Sequence, residues 1–333
     1  MWVTSSLTNA LIPTAVALGN FDGVHRGHRQ VIWPVLPEST TTLADRVYAT
    51  VVTFNPHPQE FFSGQPRCLL TPLQEKVALL QRIGVEQLVL LPFDRELASL
   101  TPDQFVHDIL VQKLQARRIS VGQDFCFGRQ RSGTALDLQA IAATYGIEVE
   151  IAPLQQVEGD RAGADPPVRI SSSAIRLALQ QGDLETANHL LGYPYCLVGN
   201  VVEGQQLGRV LGFPTANLQL RPEKFVPCQG VYAVRVQISQ SAWPADQLSA
   251  PYIRGVMNLG NRPTVDGFRQ VAEVHLFDWT GDLYGQTLIV SLERFLRPEQ
   301  KFASLEELKS QIQIDCSTAR MLLATIGHNG TDS

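Results

Sequence analysis

Apolar positions change rhythm once along the chain. From residue 14 to about 182, short apolar runs alternate with stretches of helical period. TAVALG (14–19), VYATVVTF (47–54), EQLVLLPF (86–93) and RRISVG (117–122) are rich in β-branched or aromatic residues and predict strands. Between them, TPLQ (71–74) and TPDQ (101–104) each predict a helix start: Thr at the N-cap, Pro at the first helical position and Gln three residues on, a capping box. Strand–helix alternation of this kind predicts an α/β domain, a parallel sheet with helices on both faces. After about residue 190, strand-like runs follow one another: CLVGNVVEG, GVYAVRVQIS, PYIRGVMNLG, RQVAEVHLFD and QTLIVSLERFL, punctuated by Gly, Pro, Asn and Asp. One long helix closes the series, over 304–324, with Ser304 and Glu307 as its capping box. Several strands and one helix predict a small β-barrel with a packed C-terminal helix. The change falls within GDLETANHLLGYP (182–194), which gives domains 1–186 and 187–326 and a short tail, 327–333.

Composition agrees with a globular protein of two domains: 333 residues, 44% hydrophobic and 18% charged. A net charge of -5 gives no broad basic footprint for nucleic acid or a membrane surface. Cys68, Cys126, Cys196, Cys228 and Cys316 are scattered, odd in number and without a C-x-x-C pair. That pattern argues against a disulfide framework or a zinc site and for a reducing compartment. No apolar run reaches the roughly 18 residues of a membrane helix. No Lys or Arg precedes Arg26, as a signal peptide's positive segment requires, so the cytoplasm is the expected location. Nothing points to an obligate protein partner.

The first candidate chemistry lies directly after the first apolar run, in GNFDGVHRGH (19–28). A loop between a parallel strand and the next helix sits at the carboxyl edge of the sheet, where such folds bind ligands. Gly19, Gly23 and Gly27 let backbone N–H groups approach a phosphate closely. His25 and His28, three apart, share one side if they open a helix, and two imidazoles there can stabilise charge on phosphate oxygens and on departing pyrophosphate.

GNFDGVHRGH resembles the HxGH signature of the nucleotidyltransferase superfamily, in the form found in prokaryotic bifunctional riboflavin kinase/FAD synthetases. The resemblance runs along nearly the whole chain. TFNPHP (53–58), VGQDFCFGRQRSG (121–133) and ISSSAIR (170–176) fall in the expected order in the first half. LGRVLGFPTANL (207–218), GVYAV (230–234), GVMNLGNRPT (255–264), AEVHLFDWTGDLYGQ (272–286) and FLRPEQKFASLEELKSQIQID (295–315) resemble the flavokinase domain in the second. It implies a Rossmann-like nucleotidyltransferase domain followed by a β-barrel flavokinase domain.

Residue by residue, the resemblance assigns Gly19, Phe21, Asp22, Gly23, Gly27 and Asp124 to nucleotide binding in the adenylyltransferase half. ISSSAIR becomes its second phosphate clamp, with Ser172, Ser173 and Arg176 on the β- and γ-phosphates of ATP; Ser173 stands where the family more often has Thr. Read without the family, ISSSAIR is an ordinary capped helix with Ser172 or Ser173 at the cap. Asn55, His57 and Phe125 are candidate flavin contacts in this half, with a purely structural loop role as the alternative. The kinase half contains no G-x-x-x-x-G-K-[ST], so it is not a P-loop enzyme. Thr215 and Asn217, two apart, point to one side of an extended segment and are oxygen ligands suited to Mg²⁺ on ATP phosphates, unless PTAN is simply a turn. The resemblance makes Glu273 the base for the ribityl 5′-hydroxyl of riboflavin, and places Gly212, Pro214, Asn258 and Arg297 around ATP and flavin. By pattern alone Glu273 is a solvent-facing strand residue sharing a face with His275.

These readings converge on an enzyme that phosphorylates riboflavin to FMN and then adenylylates FMN to FAD, with ATP as co-substrate and Mg²⁺ as cofactor. The rivals are a chain with one active half, and a flavin-binding carrier with degenerate sites.

Overall fold

A computed structural model describes residues 1–37, 46–157, 168–204, 208, 211–239, 251–264 and 267–326. Residues 207, 209 and 210 of the flavokinase-like motif and the tail 327–333 lie outside the described residues. The chain divides into two compact units, Met1–Ser172 and Ser173–Ser333.

The first unit is built on β1 (Trp2–Thr4), β2 (Thr14–Leu18), β3 (Tyr48–Asn55), β4 (Gln87–Pro92), β5 (Ala116–Gly122) and, after the two-residue pair β6 (Cys126–Phe127) and β7 (Gly133–Thr134), β8 (Glu148–Ala152). The six-stranded sheet runs β1-β4-β3-β2-β5-β8, with every pair parallel. The four apolar runs of the sequence are its inner strands. β1 and β8 escape a reading by apolar runs because they are edges: β1 has three residues, and β8 alternates exposed and covered positions. All five residues of β2 are buried, as a strand covered on both faces requires. From β2 the chain moves out through β3 to β4 and returns to β5 on the other side of β2. The carboxyl end of β2 is therefore the point where strand order reverses, the place where open α/β sheets take ligands.

Helices α1 (Arg26–Ile32), α2 (Pro58–Ser63) and α3 (Leu73–Arg82) follow β2 and β3. Thr101 and Gln104 form the expected capping box. The other expected box does not form. α3 begins at Leu73 with Pro72 at its N-cap position and no side-chain cap. Thr71 is committed to the β2 loop: its Oγ1 accepts from Gly23 N at 2.8 Å, and its own N–H donates to Asp22 Oδ1 at 3.2 Å. A short pair, β9 (Gln156–Val157) with β10 (Val168–Arg169), completes the strands of this unit.

Two helices, Ser172–Gln181 and Leu184–Leu191, come before the barrel of the second unit. Cys228 N donates to Leu179 O at 3.1 Å, and Asn188 bridges Leu292 O and Tyr195 N. The strands β11 (Cys196–Val202), β12 (Ala216–Leu220), β13 (Gly230–Ser239), β14 (Ile253–Thr264), β15 (Gly267–Leu276) and β16 (Thr287–Arg297) close in the order β11-β12-β15-β14-β13-β16. β12 was the strand hidden in PTANL: only Ala216 and Leu218 of its five residues are buried, so no apolar run marks it. The C-terminal helix, Leu305–Ile326, lies on the outside of the barrel, packing Cys316, Ala319 and Leu323 against Ala233, Val256 and Phe277. Ser304 caps it through Glu307 N at 3.2 Å, but the Glu307 carboxylate takes the Ala303 amide rather than that of Ser304.

Candidate active sites

The loop that follows β2 is fixed from several directions at once. Gly23 has φ +94°, a conformation that only glycine adopts without strain. Phe21 (φ 48°) and Val24 (φ 37°) take left-handed backbone despite their side chains, and both are almost completely buried. Asn20 O accepts from Thr53 Oγ1 at 3.0 Å and from Lys76 Nζ at 2.8 Å. Asp22 is buried, and its carbonyl accepts from Ser172 Oγ at 2.7 Å.

His25 is the N-cap of α1, and its Nδ1 accepts from His28 N at 3.2 Å. One turn of helix then stacks the two imidazoles, with centroids 3.5 Å apart and planes 14° from parallel. Phe21 meets His28 edge-on at 5.3 Å. A Cβ on Gly27 would touch the His25 ring, and one on Gly19 the Phe21 ring, so both glycines leave room for these rings. Burial holds the pKa of His25 down to about 4, outweighing the upward pull of Asp22. Burial, then the neighbouring His25 and Lys76, hold His28 well below the usual histidine range. Both rings are neutral at pH 7, each with one N–H to donate. His28 Nδ1 is shielded from solvent and has no hydrogen-bond partner among the described residues, the kind of buried polar atom that calls for a ligand.

The strands on either side of β2 bring further groups to the same edge. After β3, Asn55 is exposed, with its carbonyl accepting from Phe93 N at 3.0 Å, and His57 caps α2 through Gln59 N. Burial, then Arg67, lowers the His57 pKa to about 4, and the Asp22 charge acts on it as well. After β5, exposed Asp124 pairs with Arg169, and its charge reaches His25. Phe125 is half-buried and stacks on Phe127 at 5.8 Å, continuing into Phe105 and the core. Ser173 is exposed, and the Arg176 guanidinium lies 5.1 Å over the Phe225 ring; both belong to the second unit.

In the barrel, register aligns residues that are far apart in sequence. Asn217 on β12 stands directly opposite Glu273 on β15, and Glu273 stands opposite Asn258 on β14. Residues directly opposite in antiparallel strands share a face, so the three form one lateral row. Their neighbours Ala216, Leu218, Ala272, Val274, Met257 and Leu259 are buried in the barrel, while the row itself is half-buried on the outer face. Gly204 presses on the Asn217 amide so closely that no Cβ would fit. His275, next on the same face as Glu273, bonds the Pro214 carbonyl through Nδ1 at 2.9 Å, fixing the backbone just before Thr215. Gly212 (φ +87°) and Pro214 are exposed at the start of this segment. Thr215 Oγ1, the Asn217 amide oxygen and the Glu273 carboxylate are hard oxygen donors of the type Mg²⁺ takes.

Arg297 ends β16 opposite Val231, which stands opposite Asn258. Its guanidinium binds Asp315 of the C-terminal helix in a fork, Nη2 to Oδ2 at 2.7 Å and Nε to Oδ1 at 3.0 Å, and Gln311 also donates to Asp315. The Glu299 carboxylate lies against Gly260 and within 3.5 Å of the Asn258 amide.

Motif reading did not single out Lys76, Asp315 or Glu299. For two of them the sequence holds a signal. Lys76 shares a helical stripe with Leu79 and Leu80, and Asp315 shares one with Ile312, Cys316 and Ala319. A charge on an apolar stripe is a buried charge that needs a partner.

Comparison with known proteins covers both units. A family model described as FAD synthetase matches residues 8–165, and one described as riboflavin kinase matches residues 191–323. A crystallised protein from Streptococcus pneumoniae, described as a macrolide-efflux protein, superposes with a TM-score of 0.79 at 31% identity, over 96% of this chain and 98% of its own. Among the described residues no helix is long and apolar enough to cross a membrane. The bifunctional riboflavin kinase/FMN adenylyltransferase of Escherichia coli (strain K12) is 41% identical over 92% of this chain and 91% of its own length. That of Pseudomonas fluorescens is 41% identical over 93% of each. With both halves matched in order and relatives this similar from end to end, the chain belongs to the bifunctional riboflavin kinase/FMN adenylyltransferase family.

Proposed function

We propose that the chain makes FAD from riboflavin in two ATP-dependent steps, with the named side chains as their machinery. In the barrel, Glu273 accepts the proton of the ribityl 5′-hydroxyl as that oxygen attacks the γ-phosphorus of ATP; FMN forms and ADP leaves. Asn217 and Thr215 would hold the phosphates' divalent cation, and Gly212, Pro214, Asn258 and Arg297 would line ATP and flavin. Mg²⁺, when bound, neutralises phosphate charge in both reactions. In the α/β half, a phosphate oxygen of FMN attacks the α-phosphorus of a second ATP, the bond to the β-phosphate breaks, and pyrophosphate leaves.

His25 and His28 donate to the phosphate oxygens on which charge develops. Being neutral, they act as hydrogen-bond donors rather than as acids, so no covalent intermediate is needed. Gly19, Phe21, Asp22, Gly23 and Gly27 shape the bed for the triphosphate, with Asp124 on the nucleoside. Asn55, His57 and Phe125 face the flavin. Ser172, Ser173 and Arg176 act on the outer phosphates. The cytoplasm, where ATP is made and the five cysteines stay as thiols, is the setting.

The observation that carries this reading is the stacked His25–His28 pair at the switch point of the sheet, in a chain whose barrel also lines up Asn217, Glu273 and Asn258. A carrier has no use for either arrangement. Chromatography of the protein incubated with riboflavin, ATP and Mg²⁺ tests it. FMN followed by FAD is the expected result; FMN alone removes the adenylyl half of the reading, and bound but unchanged riboflavin removes all of it.

A further inference from the structure

The α/β unit buries a charge that the chemistry above does not use. Lys76 is 8% exposed, on the core-facing stripe of α3 with Leu79 and Leu80. Burying an ammonium is unfavourable unless its charge and its donors are met. Here Nζ reaches the Asn20 carbonyl at 2.8 Å, a carbonyl that also accepts from Thr53; burial lowers the Lys76 pKa from the ordinary lysine value, and the nearby carboxylate of Asp22 opposes that by favouring the ammonium. Asp22 is itself held by the amide of Thr71. The cation thus lies beneath the Asn20–Phe21–Asp22 turn that carries His25 and His28.

We propose that Lys76 is a positioning residue for adenylyl transfer, bracing the turn through the Asn20 carbonyl and placing a fixed positive charge beneath the two imidazoles. This rests on the reading of the His25–His28 pair given above. The turn needs a brace, because it holds Phe21 in a left-handed conformation that an L side chain resists. A buried aliphatic residue would fill the same space without supplying the charge. The charge has two consequences. It adds positive potential under a site whose substrate carries a triphosphate and whose leaving group is pyrophosphate. It also disfavours the imidazolium form of His28, keeping that ring a neutral donor. The other charged or titratable groups around His28 are the neutral His25 stacked on it, Asp22 and Arg29 from the loop and α1, and Asp124 from the loop after β5. On the β3 side stands His57, with Arg67 and Glu60. Among these, Lys76, and His25 once it is protonated, are the groups that press His28 toward neutrality.

The test uses the full chain with Lys76→Met, which keeps length without charge, and Lys76→Arg, which keeps charge in a different shape. Three quantities are read: kcat and KM for FMN adenylylation, riboflavin phosphorylation by the same preparation, and the titration of His28 by NMR of histidine-labelled protein. In Lys76→Met, adenylylation kcat falls about tenfold or more with a smaller change in KM. Its His28 titration moves to higher pH, because a positive neighbour has gone, and phosphorylation is unchanged. In Lys76→Arg, the His28 titration stays at the wild-type position while kcat is only partly recovered. A Lys76→Met protein with wild-type kcat overturns the proposal. So does one whose kcat falls with no movement of His28, since that is a packing defect, or an Arg variant whose His28 moves as far as in Met. Wild-type protein that makes no FAD from supplied FMN instead overturns the reading of the site itself.

Discussion

Acid should weaken the α/β unit through His25 in particular. The ring is 5% exposed and titrates at about 4, against 6.5 for an ordinary histidine. The unfolded chain therefore takes up a proton on His25 as pH falls through 6.5, while the folded chain does not until about 4. Stability from this group is complete above pH 6.5, drains away between 6.5 and 4, and is not lost further below that. The full gap of about 2.5 pH units corresponds to about 3.4 kcal/mol, and at pH 5 the loss has reached about 2 kcal/mol. His25→Asn isolates this contribution: Asn is a strong N-cap and can accept from His28 N as the imidazole does, but it does not titrate. The amides of β2, the buried central strand, report unfolding of this unit by hydrogen exchange corrected for the intrinsic pH dependence. Between pH 7.5 and pH 5, wild type should lose about 2 kcal/mol more than His25→Asn. His57 is lowered in the same direction but is present in both proteins and cancels. Parallel pH dependence in the two proteins would refute the argument that burial keeps His25 neutral.

Three further outcomes are expected. His28→Ala lowers kcat for FMN adenylylation by about 10²-fold or more and leaves riboflavin phosphorylation intact, as steady-state assays of the two steps on one preparation will show. Gly204→Ala drives a methyl group into the Asn217 amide, so phosphorylation needs more Mg²⁺ to reach half its maximal rate while adenylylation is unaffected. Asp315→Ala leaves the Arg297 guanidinium without its carboxylate in a site where the two side chains are 18% and 7% exposed, and lowers barrel stability by about 3 kcal/mol in urea unfolding. The double variant Arg297→Ala/Asp315→Ala should cost less than the sum of the two single changes.

The inner strands of the sheet were legible because TAVAL and its neighbours are continuous apolar runs, and five barrel strands were legible for the same reason. β12 was not, since a five-residue strand with only two inward side chains leaves no pattern to detect. Thr71 shows how local signals fail: Thr-Pro at a helix start normally means a cap, but here a tertiary demand from Asp22 and Gly23 outbids the local one. The stacking of His25 on His28 follows from their i, i+3 spacing once His25 is the cap. The alignment of Asn217, Glu273 and Asn258 does not follow from any spacing, because register between strands is set by pairing across the barrel. Lys76 and Asp315 were readable in principle, as charges on apolar stripes, though the sequence does not say which partners they meet.

The two halves divide the labour between phosphoryl and adenylyl transfer, and Glu273→Gln separates them in a single protein. Gln keeps the size and much of the hydrogen bonding of Glu273 but cannot take the ribityl proton, and loss of a general base typically costs roughly 10²–10⁴-fold. One preparation of this variant, with ATP and Mg²⁺, is given riboflavin in one tube and FMN in another, and FAD is measured in both. The expected result is almost no FMN or FAD from riboflavin and FAD at the wild-type rate from FMN. Normal FMN formation from riboflavin would reduce Glu273 to a strand residue, and loss of FAD formation from FMN would contradict the separation of the two chemistries.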